Sequence, residues 1–389
     1  MQVATDIATR DDVIKLLTQL VSIESVNPYF PGGQRGEVAM AAFVSDYCGE
    51  LGLEVREQAV LPGRSNVLAE LKVPGATRTL LLDSHMDTVS LDLMGAEGLL
   101  PQVDGDKLTG RGSCDTKSSL AAMLIALTRL ARQPKGLGCN VLLLASVDEE
   151  YLMRGAEAFA LAGIHVDGAI VGEPTKLDVV VSHKGFVRWR MHTVGRAAHS
   201  SNPEVGDNAV YQMASLISML RPSVEERLAA KTHPLVGKAT WSVGTIRGGS
   251  AVNIVPERCT VEIDRRLLPR ETGAEALGEF DALVADICRK HPEIKVERDE
   301  PFGDVLGLDT PTDTPVVQAL ATACREVRGW SKTVGVAYGT NASKFVLGEI
   351  PSIVFGPGDV RQAHTADEFV SVDEVVAAAR MYEAAARAF

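Results

Sequence analysis

Residues 77–87, TRTLLLDSHMD, decide how this chain folds. Leu80, Leu81 and Leu82 follow one another with no polar alternation. A strand built that way needs cover on both faces, as in the interior of an α/β sheet. It ends in His85-Met-Asp87, which puts an imidazole and a carboxylate at a strand's exit. The pattern recurs outward. NVLLLASV (140–147) is a second buried strand and runs straight into Asp148-Glu149-Glu150. DGAIVGEP (167–174) closes a third and ends in Glu173. Helical stretches lie between them, SSLAAMLIALTRLA at 118–131 and GAEAFALAG at 155–163. Upstream, Val13, Leu16, Leu17, Leu20 and Val21 recur at helical spacing within 10–24, and a second helix is predicted over 36–52. This alternation predicts an α/β sheet with helices on both faces.

The texture changes near residue 180. VVVSHKGFVRWRMHTVGR (179–196) mixes apolar and polar residues, as a strand with one wet face does. A helix follows over DNAVYQMASLISML (207–220), then TWSVGTIRGGS (240–250), RCTVEIDRRLLP (258–269) and the helix GAEALGEFDALVADICRK (273–290). That order predicts a small α+β domain over 181–293. Buried α/β texture returns with TPVVQALATACREV (314–327), SIVFGP (352–357) and the final helix at 372–389. The small domain is therefore read as an insertion into a larger one formed by 1–180 and 294–389.

A chain of 389 residues, 46% hydrophobic, can bury the cores of two domains. Its net charge of −12 disfavours nucleic acid and anionic lipid as partners. The six cysteines show no CxxC pairing and fit a reducing compartment. Cys114 has no Cys/His zinc spacing around it and is read as packing. The start, MQVATDIATRDDVIKLL, carries acidic residues and no long apolar core, unlike a signal peptide. No apolar run has the length of a bilayer span. The expectation is a cytoplasmic protein with no membrane partner.

The polar residues at the strand exits are zinc-ligand types, since zinc takes imidazole nitrogen and carboxylate oxygen. Two metals side by side need a bridging group, and a carboxylate serves. Asp115, in GRGSCDTK (110–117), is the candidate bridge. It directly precedes a long helix, where the commoner role of an Asp is a cap. Asp87, two residues after His85 and on the same side of an extended chain, could fix the imidazole tautomer. A loop His beside a solvated Asp is the alternative. Asp148-Glu149-Glu150 is either a solvated acidic turn or a run of carboxylates gathered around cations, which their mutual repulsion would require. Glu173, stiffened by Pro174, and His364, in GPGDVRQAHTADE (356–368), each read alone as ordinary loop residues. Their shared placement at strand exits and helix entries lends them weight together, because ligands in open α/β sheets gather at the strands' carboxyl ends.

In this order the motifs resemble the metallopeptidase family of acetylornithine deacetylase, succinyl-diaminopimelate desuccinylase, aminoacylase and bacterial glutamate carboxypeptidase, over nearly the whole chain. The resemblance implies a zinc-peptidase-like α/β catalytic domain with a mixed sheet, and an inserted α+β lid that also makes a homodimer contact. It implies two Zn²⁺ per subunit, with Co²⁺ or Mn²⁺ as substitutes. One metal would have His85, Asp115 and Glu173, the other Asp115, Glu150 and His364, with Glu149 as general base. GRAAHSSNPEVGDNAV (195–210) matches the lid motif, so His199 would polarise the scissile carbonyl, from the partner subunit in dimeric members. GGSAVNIVPERCTVEIDRRLLP (248–269) matches the segment that holds substrate, which points to Asn253 and Arg266. A turn His and a surface ion pair are the plainer readings of His199 and Arg266. The resemblance also implies a cis peptide at Asp115–Thr116. YGTNASKF (338–345) departs from it, with Asn341 where many relatives have Asp, so the substrate contact implied there is in question. Tyr151 and Leu152 depart too, at positions where small residues are common. The activity implied is hydrolysis of an N-acyl amino acid amide, as in acetylornithine deacetylase. The alternatives are a desuccinylase, a glutamate-releasing carboxypeptidase, or a catalytically silent metal- or peptide-binding relative.

Overall fold

The computed structural model describes residues 9–389; the start of the chain, read above as unlike a signal peptide, lies outside them over 1–8. By contacts the chain divides into two compact units. One comprises the chain up to Val181, with Thr310–Val334 and Thr340–Phe389; the other comprises Ser182–Asp309 and Gly335–Gly339.

The first unit is built on a mixed sheet. Its strands lie in the order Glu54–Leu61, Arg64–Leu71, Asn140–Ser146, Thr79–His85, Gly168–Val171, Ser352–Val354, Val179–His183. Thr79–His85 runs parallel to both its neighbours, and Ser352–Val354 runs parallel to Gly168–Val171. The outer pairings are antiparallel. Leu80 to His85 and Val141 to Ser146 are buried without a break, as the unalternated sequence requires of strands covered on both faces. Helix Lys117–Arg132 packs against Arg10–Ser22 and Val372–Ala388. The parallel register sets His85 opposite Ser146 and Asp83 opposite Val171. Their carboxyl ends therefore come out side by side, and the loops that follow carry the ligand-type residues.

The second unit is an antiparallel sheet in the order Thr240–Gly248, Arg258–Leu267, Gly185–Val194, Val296–Arg298, with Gly303–Val305 also paired to Gly185–Val194. The sequence places residues 294–309 in the returning part of the larger domain. Two of their three short strands, Val296–Arg298 and Gly303–Val305, bond instead to Gly185–Val194, and the third, Leu308–Asp309, pairs with Ser182 and His183, so contacts place them in this unit. Two helices pack on the sheet, Ala209–Ala229 and Gly273–Lys290. The first runs nine residues beyond its predicted end and contains Pro222. An internal proline costs about 3 kcal/mol. Leu216, Leu220, Val224 and Leu228 are buried along that helix, and each such side chain contributes about 1.5–3 kcal/mol. Packing therefore outweighs the helix-breaking residue.

All six cysteines are unpaired. Cys114 is buried with its thiol donating to the Asp359 carbonyl, which agrees with a packing role. No helix among the described residues is long and apolar enough to cross a membrane.

Candidate active site

His85 ends its strand and is 1% exposed. Its Nδ1 lies 2.9 Å from the backbone carbonyl of Asp87. That carbonyl, rather than the Asp87 carboxylate expected from sequence, is the close partner; the carboxylate is 3.5 Å away. The reason is that the carboxylate is engaged elsewhere. It accepts Asn27 Nδ2 at 2.7 Å and the backbone N–H groups of Glu149 at 3.1 Å and Glu150 at 3.0 Å. Asp87 thus places the imidazole through its main chain and the two glutamates through its side chain.

Asp115 stands two residues before the helix, and the Asp115–Thr116 peptide is cis, as the resemblance implied. Its oxygens face opposite imidazoles. Oδ1 is 3.1 Å from His85 Nε2 and Oδ2 is 3.3 Å from His364 Nε2. A helix cap does not describe it, since the N-cap position belongs to Thr116. Glu150 Oε1 lies 3.1 Å from His364 Nε2, and Glu173 Oε1 lies 3.9 Å from His85 Nε2. Two groups of three emerge, His85–Asp115–Glu173 and Asp115–Glu150–His364, each offering ligand atoms within 4.8 Å of one another and sharing Asp115. Glu149 adjoins them and belongs to neither.

The electrostatics are those of a carboxylate cluster. Burial pushes the Glu149 carboxyl well above its usual range; His85 draws it back, and the charges of Glu150, Asp115 and Asp87 push it further. Glu173 is raised well above its range by burial and by Asp115 and Glu149. Burial and the Asp115 charge push Glu150 up to about 7. Burial works against an ionised Asp115 too, but hydrogen bonds from His364 and His85 hold it well below the usual carboxylate range. Burial alone would lower His85, yet Asp115 and Asp87 hold it well above the ordinary imidazole range. Hydrogen bonds to Asp115 and Glu150 push His364 up to about 11. Four carboxyls this close repel one another unless cations lie among them. Two imidazoles and carboxylate oxygens, grouped in threes around a shared aspartate, are a donor set suited to a pair of divalent cations.

The remaining expected residues belong to neither group. Asn341 is fully buried, and its Nδ2 donates to Asp83 Oδ2 at 3.0 Å and Ser146 Oγ at 2.9 Å. It ties the strands Thr79–His85 and Asn140–Ser146 together through Nδ2, while its buried Oδ1 has no hydrogen-bond partner among the described residues, and the substrate contact in question there stays a proposal. His199, Asn253 and Arg266 belong to the second unit. His199 is exposed, with Nδ1 2.8 Å from Ser201 Oγ. Asn253 is exposed, and its carbonyl accepts the Ser200 N–H. Arg266 is half-buried, with Nε 2.8 Å from Asp264 Oδ1 and its guanidinium 5.6 Å from the Phe186 ring.

Sequence reasoning missed Arg64, Arg154, Glu37 and Glu368 behind the ligands, and grouped Asp148 with the two glutamates that follow it. Asp148, with φ +70°, accepts both Nε and Nη2 of Arg154 and lies 3.2 Å from Arg64 Nη1. Arg64 in turn holds the fully buried Glu37 through two hydrogen bonds. Glu368 accepts the N–H groups of Cys114 and Asp115. No spacing rule links residues this far apart; the sole signal was an acid four residues after His364.

The sequence matches the description peptidase family M20/M25/M40 over residues 81–388. It is 31% identical over 375 residues to an acetylornithine deacetylase of Photorhabdus laumondii subsp. laumondii, covering 92% of each chain. The structure resembles an aminopeptidase of Bacillus cereus, with a TM-score of 0.79 at 20% identity over 98% of this chain and 99% of that one. It also resembles a dinuclear metal binding peptidase of Bacillus subtilis, with a TM-score of 0.72 at 17% identity over 98% of both chains. At those identities the structural likeness shows the fold alone.

Proposed function

We propose, from the premise that the chain belongs to peptidase family M20/M25/M40 and is a hydrolase of amide or peptide bonds, that it removes the acyl group from an N-acyl amino acid, in the manner of an acetylornithine deacetylase. The observation that carries this reading is the pair of ligand groups joined through Asp115, with Glu149 beside them and outside both. His85, Asp115 and Glu173 would hold one cation, and Asp115, Glu150 and His364 the other. When bound, two zinc ions, or cobalt or manganese in their place, supply Lewis acidity to the substrate carbonyl and to the attacking water.

The chain's own residues do the rest. Glu149, beside both ligand groups and outside them, would take a proton from water at its Oε and return it to the leaving amine. Asp87 holds that glutamate by its main-chain N–H and so sets where the base stands. The second unit is proposed to act as lid and homodimer contact. There His199, with Nδ1 engaged by Ser201, would offer Nε2 to the developing oxyanion, and Asn253 and Arg266 would take the substrate's polar end.

The test is a Glu149→Ala variant with metal content and turnover read together. The variant should retain its metal and lose roughly 10²–10⁴-fold in kcat. Wild-type turnover in that variant sinks the assignment. A panel of N-acetyl, N-succinyl and N-formyl amino acids and glutamyl peptides then sets the substrate. Preference for the acetyl compounds supports the reading, and preference for succinyl or peptide substrates replaces it with a desuccinylase or a carboxypeptidase. Bound metal with no turnover on any of them marks a silent relative.

A further inference from the structure

Glu368 and Arg111 form a buried ion pair, 1% and 2% exposed, that the reaction just described does not use. Glu368 Oε1 accepts the backbone N–H groups of Cys114 and Asp115, each at 3.0 Å, while Oε2 accepts Arg111 Nη1. Arg111 also donates Nη2 to the Thr365 carbonyl at 3.3 Å and Nε to the Ser90 carbonyl at 3.1 Å. The main chain of Glu368 accepts Gly110 N–H at 3.1 Å and Ser113 Oγ at 3.3 Å. Two loops some 250 residues apart in sequence are thereby stitched together, one ending in Asp115 and the other carrying His364.

A buried ion pair is a poor stabiliser, because desolvation offsets most of its attraction and apolar groups often serve as well. Its use here is geometric. His364 adopts φ +61°, a region that non-glycine residues seldom occupy, and the carbonyl of the next residue is the one Arg111 grips. We infer that Arg111 and Glu368 are positioning residues that set His364 against Asp115, and that the cation of the Asp115–Glu150–His364 group depends on them. This rests on the metal-site reading above. Two of that group's three members hang on the pair. In His85–Asp115–Glu173 a single member does, for His85 is fixed by its strand and the Asp87 carbonyl, and Glu173 closely follows the strand Gly168–Val171. The two cations should therefore respond differently when the pair is broken.

The experiment is zinc content of the purified full chain after dialysis against graded chelator, with circular dichroism as the check on folding. Wild type should release zinc in two steps. Glu368→Ala should weaken one step by roughly 10–100-fold, the range seen when a group behind a ligand is removed, and leave the other in place. Its pattern should match His364→Ala and not His85→Ala. Glu368→Gln, which keeps an oxygen for the two N–H groups, should lose less than Glu368→Ala. Where the alanine variant does not fold, Glu368→Asp serves instead; it keeps the charge, falls one methylene short, and should weaken the same single step. Equal weakening of both steps, no weakening of either, or equal losses in the glutamine and alanine variants overturns the inference. A wild-type chain that retains no metal overturns the metal reading itself, so the two failures are distinguishable.

Discussion

Asp87 shows what a single side chain can do when its two ends are used separately. The carbonyl fixes His85 and the carboxylate holds the N–H groups of Glu149 and Glu150. An Asp87→Asn change keeps the carbonyl but removes one acceptor oxygen from a fully buried group. One of the two N–H groups then loses its partner, at about 1–3 kcal/mol. The glutamates should shift while the imidazole stays. We therefore expect kcat to fall about 10-fold or more with only a modest change in metal affinity, if roughly 1.4 kcal/mol of that cost reaches the transition state. Steady-state kinetics beside metal content will check this. A variant that loses its metal and keeps its per-metal turnover would show that Asp87 serves His85 alone.

At the scale of elements, the turn between strand Asn140–Ser146 and helix Arg154–Leu161 is held from below by charge. Arg64 reaches from its own strand to Glu37, and Glu37 accepts the Asp148 N–H at 3.0 Å. Burial pushes the Glu37 carboxyl up, and the hydrogen bonds and charge of Arg64 are the main force that draws it back. Arg64→Met should cost about 3–5 kcal/mol, as removal of one partner of a buried pair does, read from urea unfolding. A loss under about 1 kcal/mol, typical of exposed pairs, would count against the network. The helix start is equally confined. A Cβ on Gly155 would sit 2.4 Å from the Val147 carbonyl oxygen and 2.5 Å from Asn66 Oδ1. Gly→Ala in a helix ordinarily gains up to about 1 kcal/mol. Gly155→Ala should do the reverse and lower Tm, and a raised Tm would contradict the close approach.

For the whole molecule, the carboxylate cluster links metal, pH and stability. In the metal-stripped chain Glu150 titrates at about 7, against 4.5 for a free glutamate. A raised folded pKa gives stability that is full below the unfolded value and lost as pH rises through the folded one. His364, raised from 6.5 to about 11, loses its share in the same direction over a higher window. Glu149 and Glu173 are raised as well and add to the loss. Metal binds the deprotonated ligands and replaces those protons. The Tm gain on adding zinc should therefore grow between about pH 5.5 and about pH 8. Differential scanning calorimetry with and without metal tests it, and a gain that stays level or shrinks would count against a cation site in the cluster.

Much of this was legible in the chain itself. Unalternated runs such as Leu80 to Leu82 can be buried only inside a covered sheet, and a polar residue at the end of such a run must emerge at the sheet's rim. His85, Glu149, Glu150 and Glu173 could be placed that way because strand periodicity is local. What tertiary structure alone decided were the partners that no local period relates: Glu368 with Asp115, Arg64 with Glu37, Asn341 with Asp83. It also decided that Val296–Arg298 and Gly303–Val305 pair with Gly185–Val194 and that Ala209–Ala229 continues through Pro222. In each case the deciding term was burial or hydrogen bonding against a distant segment, and sequence order carries no record of that.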